Sequence, residues 1–393
     1  MRLAVVTPEY AGVTAYTGGI GSQYAMLAPE LARQGHEVAV VTLAPDHPGA
    51  RELHGVHLSL VAQPGRSILR PPAWTRAAGR AVRELGNLDL VLACEYAGGA
   101  WAYSRDERRA PLVTHLHSST IQIAATSGWL RRQRVLPVVV MSRILERSQT
   151  RRSDALVAPT RSILDWTRRL WDLPSEMPAE IVPNAVEVEG VRKLAEGDPP
   201  DGFPGSGPVI AYAGRLEPRK GVHLLVQAMQ QVWAELPDAQ LVLLGADNAY
   251  RGESMADHLR EAAGEHSAQL HLLGAQPRER LFPALRAADV VALPSLWENF
   301  ATAALEGMAL GCPMVVSSGT GFDEFMRPEL DALMPLRGDP VELAGALLRL
   351  LRDEELRRQL GAAAATSAKA FDVSPVASRM AETLSRLGAA RRE

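Results

Sequence analysis

Residues 209–236 read VIAYAGRLEPRKGVHLLVQAMQQVWAEL. The run Val209–Ala213 is short and apolar throughout, which predicts a strand buried on both faces. Gly214–Gly221 follows as a loop, and Val222–Leu236 predicts a helix. Strand, loop and helix in this order form the repeating unit of a parallel sheet covered by helices.

The alternation continues in both directions. Downstream, Gln240–Gly245, Gln269–Gly274, Val290–Pro294 and Pro313–Ser317 read as strands. Ser254–Ala263, Pro277–Ala288 and Thr302–Leu310 read as helices between them, and from Pro340 the chain reads as helical. Upstream, Arg192–Pro208 reads RKLAEGDPPDGFPGSGP, dense in Pro and Gly, which predicts a linker. Before it lie strand candidates Leu3–Thr7, Glu37–Leu43, Asp89–Cys94, Pro111–His117, Ala155–Ala158 and Glu180–Val182. A helix over Ile20–Gln34, stopped by Gly35, follows the first of them. The expected organisation is two doubly wound α/β domains, 1–191 and 209–373, with a linker at 192–208.

Composition bounds the function. The 393 residues carry 42 Lys+Arg against 45 Asp+Glu, a formal net charge of −3, which argues against a general nucleic-acid binder. Two cysteines, Cys94 and Cys312, are too few for a disulfide framework or a four-cysteine zinc site. The opening MRLAVVTPEY is broken by Pro8 and Glu9 and is too short for a signal-peptide core, so a cytoplasmic location is expected.

Three stretches carry chemistry. In GRLEPRKG, Arg215 and Lys220 sit between a strand end and a helix start. A planar guanidinium fork and a compact ammonium suit a diphosphate, and helix-start amides add partial positive charge; a solvated basic loop is the plainer reading. In PSLWENFATAALEGMALGCP, Glu298 falls in a loop and Glu306 inside an apolar helix. Carboxylates accept hydrogen bonds from vicinal hydroxyls of a ribose or a sugar, and the amides of Asn299–Thr302 open the same helix. An ordinary helix N-terminus accounts for Glu298 but leaves Glu306 unexplained. In the first half, Gly18-Gly19-Ile20-Gly21 brings backbone amides to a strand–helix junction without forming the GxGxxG fingerprint. His115 and His117 share one face of a strand. They offer a possible metal pair, but no third ligand has convincing spacing, so no metal is assigned.

Taken together, these motifs resemble the retaining GT-B glycosyltransferases of the large family that includes sucrose, glycogen and mannosyl-phosphoinositide synthases (glycosyl transferases group 1). The resemblance covers nearly the whole chain. It rests on Glu298 and Glu306 within PS-x-x-E-x-F-x-x-x-x-LE-x-MA-x-G-x-P, on GRLEPRKG, on GGIG before LAPELARQGHEV, and on Ile181-Val182-Pro183-Asn184. It implies two Rossmann-like domains facing a cleft, with a final helix over residues 374–393 returning to the first. It implies transfer of a sugar from a UDP-, GDP- or other nucleotide diphosphate donor to a hydroxyl acceptor, with retention and with no metal or other cofactor. Arg215 and Lys220 would hold the leaving diphosphate, Glu306 the ribose and Glu298 the donor sugar. The backbone of Asn299, Phe300, Ala301 and Thr302 would face sugar and phosphate, Gly19 and Gly21 the phosphate or acceptor, and His117 rather than His115 the donor sugar. The chain departs from the family's Glu-Gly-Phe-Gly at Glu298-Asn299-Phe300-Ala301, and has Ala185 where glycine usually follows Asn184. The donor sugar therefore does not follow from the resemblance.

A nucleotide-sugar epimerase, a phosphorylase and a two-domain solute-binding protein are the rival readings. Acceptor-dependent release of nucleotide diphosphate separates transfer from the first two, and the missing export signal speaks against the third. A soluble small molecule is the expected acceptor. The alternative is peripheral membrane contact through Leu130–Arg152, which holds seven arginines, one acid and Val138, Met141 and Leu145 at helical spacing.

Overall fold

The structure is a computed structural model that describes residues 1–44, 48–62, 70–127, 136–250 and 253–389. It divides into two compact units, Met1–Ala185 with Val373–Glu393, and Val186–Asp372.

The first unit holds one eight-stranded sheet. Its strands are β1 (Arg2–Val6), β2 (Glu37–Ala44), β3 (Gly49–Leu53), β4 (Val56–Ala62), β5 (Leu90–Cys94), β6 (Leu112–His115), β7 (Ala155–Ala158) and β8 (Ala179–Ile181), in the order β3-β4-β2-β1-β5-β6-β7-β8. Among the described residues, five α-helices join them: α1 (Gly19–Arg33), α2 (Arg70–Leu85), α3 (Thr120–Thr126), α4 (Leu136–Arg152) and α5 (Arg161–Trp171). The two-residue period of β1 sorts its side chains between two cores. Leu3 and Val5 pack with Tyr24, Leu27 and Leu31 of α1, while Ala4 and Val6 pack with Trp74, Ala78 and Val82 of α2. Pairing is parallel except between β3 and β4, which form a hairpin across His54-Gly55, both at positive φ.

The second unit contains α6 (Val188–Leu194), β9 (Val209–Ala213), α7 (Val222–Glu235), β10 (Gln240–Leu244), β11 (Ala249–Tyr250), β12 (Glu253–Ser254), α8 (Met255–Ala263), β13 (Leu270–Gly274), α9 (Arg278–Ala287), β14 (Val290–Leu293), α10 (Thr302–Leu310), β15 (Met314–Val316), α11 (Pro340–Arg352) and α12 (Glu354–Ala368). Its five-stranded sheet is parallel, in the order β13-β10-β9-β14-β15. The winding reverses between β9 and β14. In open α/β sheets, ligands bind beyond the strand ends at such a switch point. The loops there are Gly214–Gly221 and Pro294–Ala301. The last helix, α13 (Val373–Ala389), belongs to the first unit and lays Val376, Ala377, Met380 and Leu384 into the α1 core.

The junction falls between Ala185 and Val186, not in the 192–208 linker read from composition. Helix α6 covers residues 188–194, and its Val188 and Val191 are buried in the second unit. Arg192 donates to the Ala309 carbonyl at 3.0 Å. Beyond α6 the Pro/Gly-rich run is irregular but held, with Arg280 donating to the carbonyls of Asp198 and Pro199 and Arg286 to that of Ala195. Proline and glycine exclude regular structure there without excluding packing.

Among the described residues, no helix is long and apolar enough to cross a membrane. Of the segment Leu130–Arg152, residues up to Val135 lie outside the described residues, and the rest is α4, with Pro137 tolerated in its first turn. Leu145 is buried, so the stripe Val138–Met141–Leu145 is not the exposed one. The exposed apolar residues are Val138, Val140 and Ile144, beside exposed Arg143 and Arg147.

Candidate functional site

The octapeptide after β9 is fixed by its glycines. Gly221 adopts φ 68°, and a Cβ there would lie 1.8 Å from the Pro294 carbonyl oxygen. Only glycine lets the two switch-point loops meet backbone to backbone. The close approach delivers Lys220 to Glu298: the Nζ and Oε2 form an ion pair, and Ser295 Oγ lies 3.4 Å from the same oxygen. Burial lowers the Lys220 pKa while Glu298 opposes the shift. Burial alone would raise Glu298, but Lys220 and Arg219 outweigh it and hold the carboxyl below its usual range.

Arg215 is more open. Its Nη2 lies 3.3 Å from Glu217 Oε1, and the same oxygen accepts from Arg219 Nη2 at 2.6 Å. Arg219 is buried, reaches the Trp297 carbonyl at 3.3 Å and stands 4.0 Å from Glu298 Oε1. Arg219 and Glu217 are thus part of the cluster, although the sequence reading singled out only Arg215 and Lys220. Their signal was their place in the same octapeptide.

Beyond Glu298, Asn299, Phe300 and Ala301 are all buried, and Ala301 is the N-cap of α10, whose first helical residue is Thr302. The Phe300 ring stacks on Phe325 at 4.2 Å, so its side chain serves the core and leaves only backbone for a ligand. Gly321 N donates to the Glu298 carbonyl at 3.0 Å, and a Cβ on Gly321 would lie 1.8 Å from the Asn299 carbonyl oxygen. A second glycine therefore braces the same loop. Glu306 does not join the Lys220 cluster. It pairs with Arg278 of α9, Nη2 to Oε1 3.3 Å, and burial pushes its pKa up to about 7 against the pull of Arg278.

In the first unit, Tyr24 of α1 gathers the two histidines. Its hydroxyl lies 3.1 Å from His115 Nδ1 and 3.3 Å from His117 Nε2, and the two rings are 4.0 Å apart. A hydroxyl donates once and accepts, so it can serve one ring in each sense. Burial lowers His117 to about 3, and burial with the neighbouring His117 holds His115 well below its usual value, so both rings are neutral near pH 7. Strand β6 ends at His115, short of the strand end expected at His117; Ser118, at φ 120°, turns the chain and accompanies His117 out of the sheet. The glycine loop is tied by Glu9, whose Oε2 accepts from Gly18 N at 2.7 Å. A Cβ on Gly21 would lie 3.0 Å from Glu9 Cβ, whereas Gly19 faces open space.

The first unit also holds two buried carboxylates that the sequence did not single out. Glu146 of α4 accepts from Ala97 N at 2.9 Å and Thr120 N at 3.0 Å, and burial pushes it up to about 7. Glu95 accepts from Ser118 N at 3.1 Å and is pushed well above the carboxylate range by burial and by Glu146.

Comparison with known proteins matches this architecture on both halves. Residues 196–367 match the family described as Glycosyl transferases group 1, and residues 17–189 match Glycosyltransferase Family 4. The chain is 29% identical to the phosphatidyl-myo-inositol mannosyltransferase of Mycolicibacterium smegmatis, over 99% of this chain and 95% of that protein. It is 26% identical to the D-inositol 3-phosphate glycosyltransferase of Corynebacterium glutamicum, over 97% and 95% respectively. Sucrose-phosphate synthase from Thermosynechococcus elongatus has the same fold, with a TM-score of 0.79 at 21% identity over 99% of both chains. Both halves therefore match glycosyltransferase families, residues 196–367 that of group 1, and the chain is a glycosyltransferase of GT-B type.

Proposed function

We propose that this enzyme transfers a sugar from a nucleotide diphosphate donor to a hydroxyl of an inositol-bearing acceptor, with retention of the anomeric configuration. The observation that carries the donor class is Lys220, a half-buried cation at the switch point, ion-paired with Glu298 in the loop that leads into α10. A diphosphate entering there meets Lys220, Arg215 and helix-start amides, all fixed before the charge develops on the leaving group. Because these groups supply the positive charge, we propose that no metal is needed. Glu306 takes the ribose diol and Glu298 a hydroxyl of the sugar. His117, neutral and half-buried, suits a polar contact to the donor sugar, and the open face of Gly19 suits an approaching ligand. Retention rests on the family resemblance, and the inositol acceptor on the relatives named above.

The test is a matrix of UDP- and GDP-sugars against myo-inositol, inositol phosphates and phosphatidylinositol vesicles, with chelator present. Nucleotide diphosphate released only with acceptor, and an α-linked product from an α-linked donor by NMR, support the reading. Release without acceptor points to a hydrolase or epimerase.

One observation favours a lipid-anchored acceptor as a second reading. Helix α4 exposes Ile144 at 55% and Val140 at 47%, beside Arg143 and Arg147. Apolar side chains interleaved with arginines are the composition that an anionic membrane surface binds.

A further inference from the structure

Arg278 opens α9, directly after its N-cap Pro277. A cation at this end opposes the helix dipole, so the helix gives no reason for it. Its partner does. Glu306 is 12% exposed on an otherwise apolar helix, and Arg278 is the cation against it, 3.3 Å away and 43% exposed. Three helices pack on α10. On α6, Arg192 binds the Ala309 carbonyl and Glu189, and Lys193 is the remaining charge. On α9, Arg280 and Arg286 bind carbonyls of residues 195–199, and Glu279 is the remaining charge. Helix α12 carries Glu354, Glu355, Arg357 and Arg358.

We propose that Arg278 is a positioning residue for the nucleotide: it orients Glu306 and favours its carboxylate form, so that more of the protein presents two acceptor oxygens to the ribose hydroxyls. This rests on the reading that Glu306 binds ribose. A protonated carboxyl would lose acceptor capacity and present a donor where the diol needs acceptors. With burial raising the Glu306 pKa to about 7 and Arg278 opposing it, the neutral form gains weight when the guanidinium is removed.

The experiment is calorimetric titration of UDP and of GDP from pH 5.5 to 9 on the full chain and on Arg278→Gln, Arg278→Lys and Glu306→Gln. The profile of Glu306→Gln subtracts the titration of the nucleotide's own phosphate. Arg278→Gln is expected to bind about tenfold more weakly at pH 6.5 and nearly normally at pH 9, as for a shift of roughly one pKa unit. Arg278→Lys is expected to restore most of the loss. The same pH profile in Arg278→Gln and in the parent, with Glu306→Gln impaired, overturns the role of Arg278 and leaves the ribose reading standing. Unchanged affinity in Glu306→Gln removes the ribose reading and this proposal with it. Loss in Arg278→Gln that is equal at every pH overturns the ionisation role.

Discussion

Lys220 and Glu298 stand 78 positions apart and meet in one ion pair at the point where the second sheet reverses its winding. Glu298 is 9% exposed and Lys220 20%, so each charge depends on the other for its place in a dry setting. The carboxylate holds the ammonium in position. On the proposed donor reading, an arriving diphosphate exchanges one anion for another around a charge that is already largely withdrawn from water.

Lys220→Ala should therefore show two separable effects. Transfer rate should fall by about 10²–10³, the size of losing one charge-stabilising donor. Stability should also fall, by up to about 3 kcal/mol, because buried Glu298 keeps only the longer 4.0 Å pair with Arg219. Adding Glu298→Gln to Lys220→Ala should recover much of the stability and none of the rate. Thermal unfolding and steady-state transfer on the two variants check this; full rate in Lys220→Ala would remove the diphosphate role.

The two glutamates should part company in ligand affinity. Glu306→Ala should weaken both free nucleotide diphosphate and sugar donor. Glu298→Ala should weaken the sugar donor while leaving the free nucleotide nearly untouched. Calorimetry with both ligands decides, and equal losses of free-nucleotide affinity would reverse the assignment.

Glu146 makes a pH prediction. Its pKa is about 7 in the fold, against roughly 4.3 in an unfolded chain. The native state holds that proton more tightly, so the group's stabilisation is fully present below the unfolded value and is lost as pH rises through 7. Glu146→Gln cannot ionise. Relative to the parent, it should gain roughly 1–3 kcal/mol between pH 5 and pH 8. Thermal melts at the two pH values test this, and a parent and variant that change in parallel would show the carboxyl does not titrate there.

The α4 face predicts sedimentation with vesicles containing anionic lipid, fading as salt rises. Arg143→Gln with Arg147→Gln should weaken this by about 1 kcal/mol per arginine. Absence of binding at low ionic strength would leave a soluble acceptor.

Most of this fold was legible because a parallel sheet buried on both faces writes its strands as short apolar runs. Ala155–Ala158 and Val209–Ala213 are the strands as read. The hairpin β3–β4 escaped because β3, GAREL, is an exposed edge with no apolar pattern; the turn signal was His54-Gly55. The site was legible where chemistry clusters in sequence, as in GRLEPRKG. It was not legible where a partner comes from elsewhere. Nothing local to Arg278 names Glu306, although a cation at a helix start was itself a sign. Nor does the sequence around Glu146 show that its carboxylate lies buried against Ala97 and Thr120.

Gly221 against Pro294 and Gly321 against Asn299 brace the Glu298 loop by main chain, beside the side-chain ties of Lys220 to Glu298 and Arg219 to the Trp297 carbonyl. The two glycine contacts do not depend on the side chains at 299 and 301. Asn299 and Ala301 are buried, but their side chains form neither brace. On the proposed donor reading, new donor sugars can be tried at these positions on the same frame, while a Cβ at Gly221 or Gly321 collides with a facing carbonyl. Directed evolution of donor choice should thus yield more at 299 and 301 than at any position that moves the loop's carbonyls.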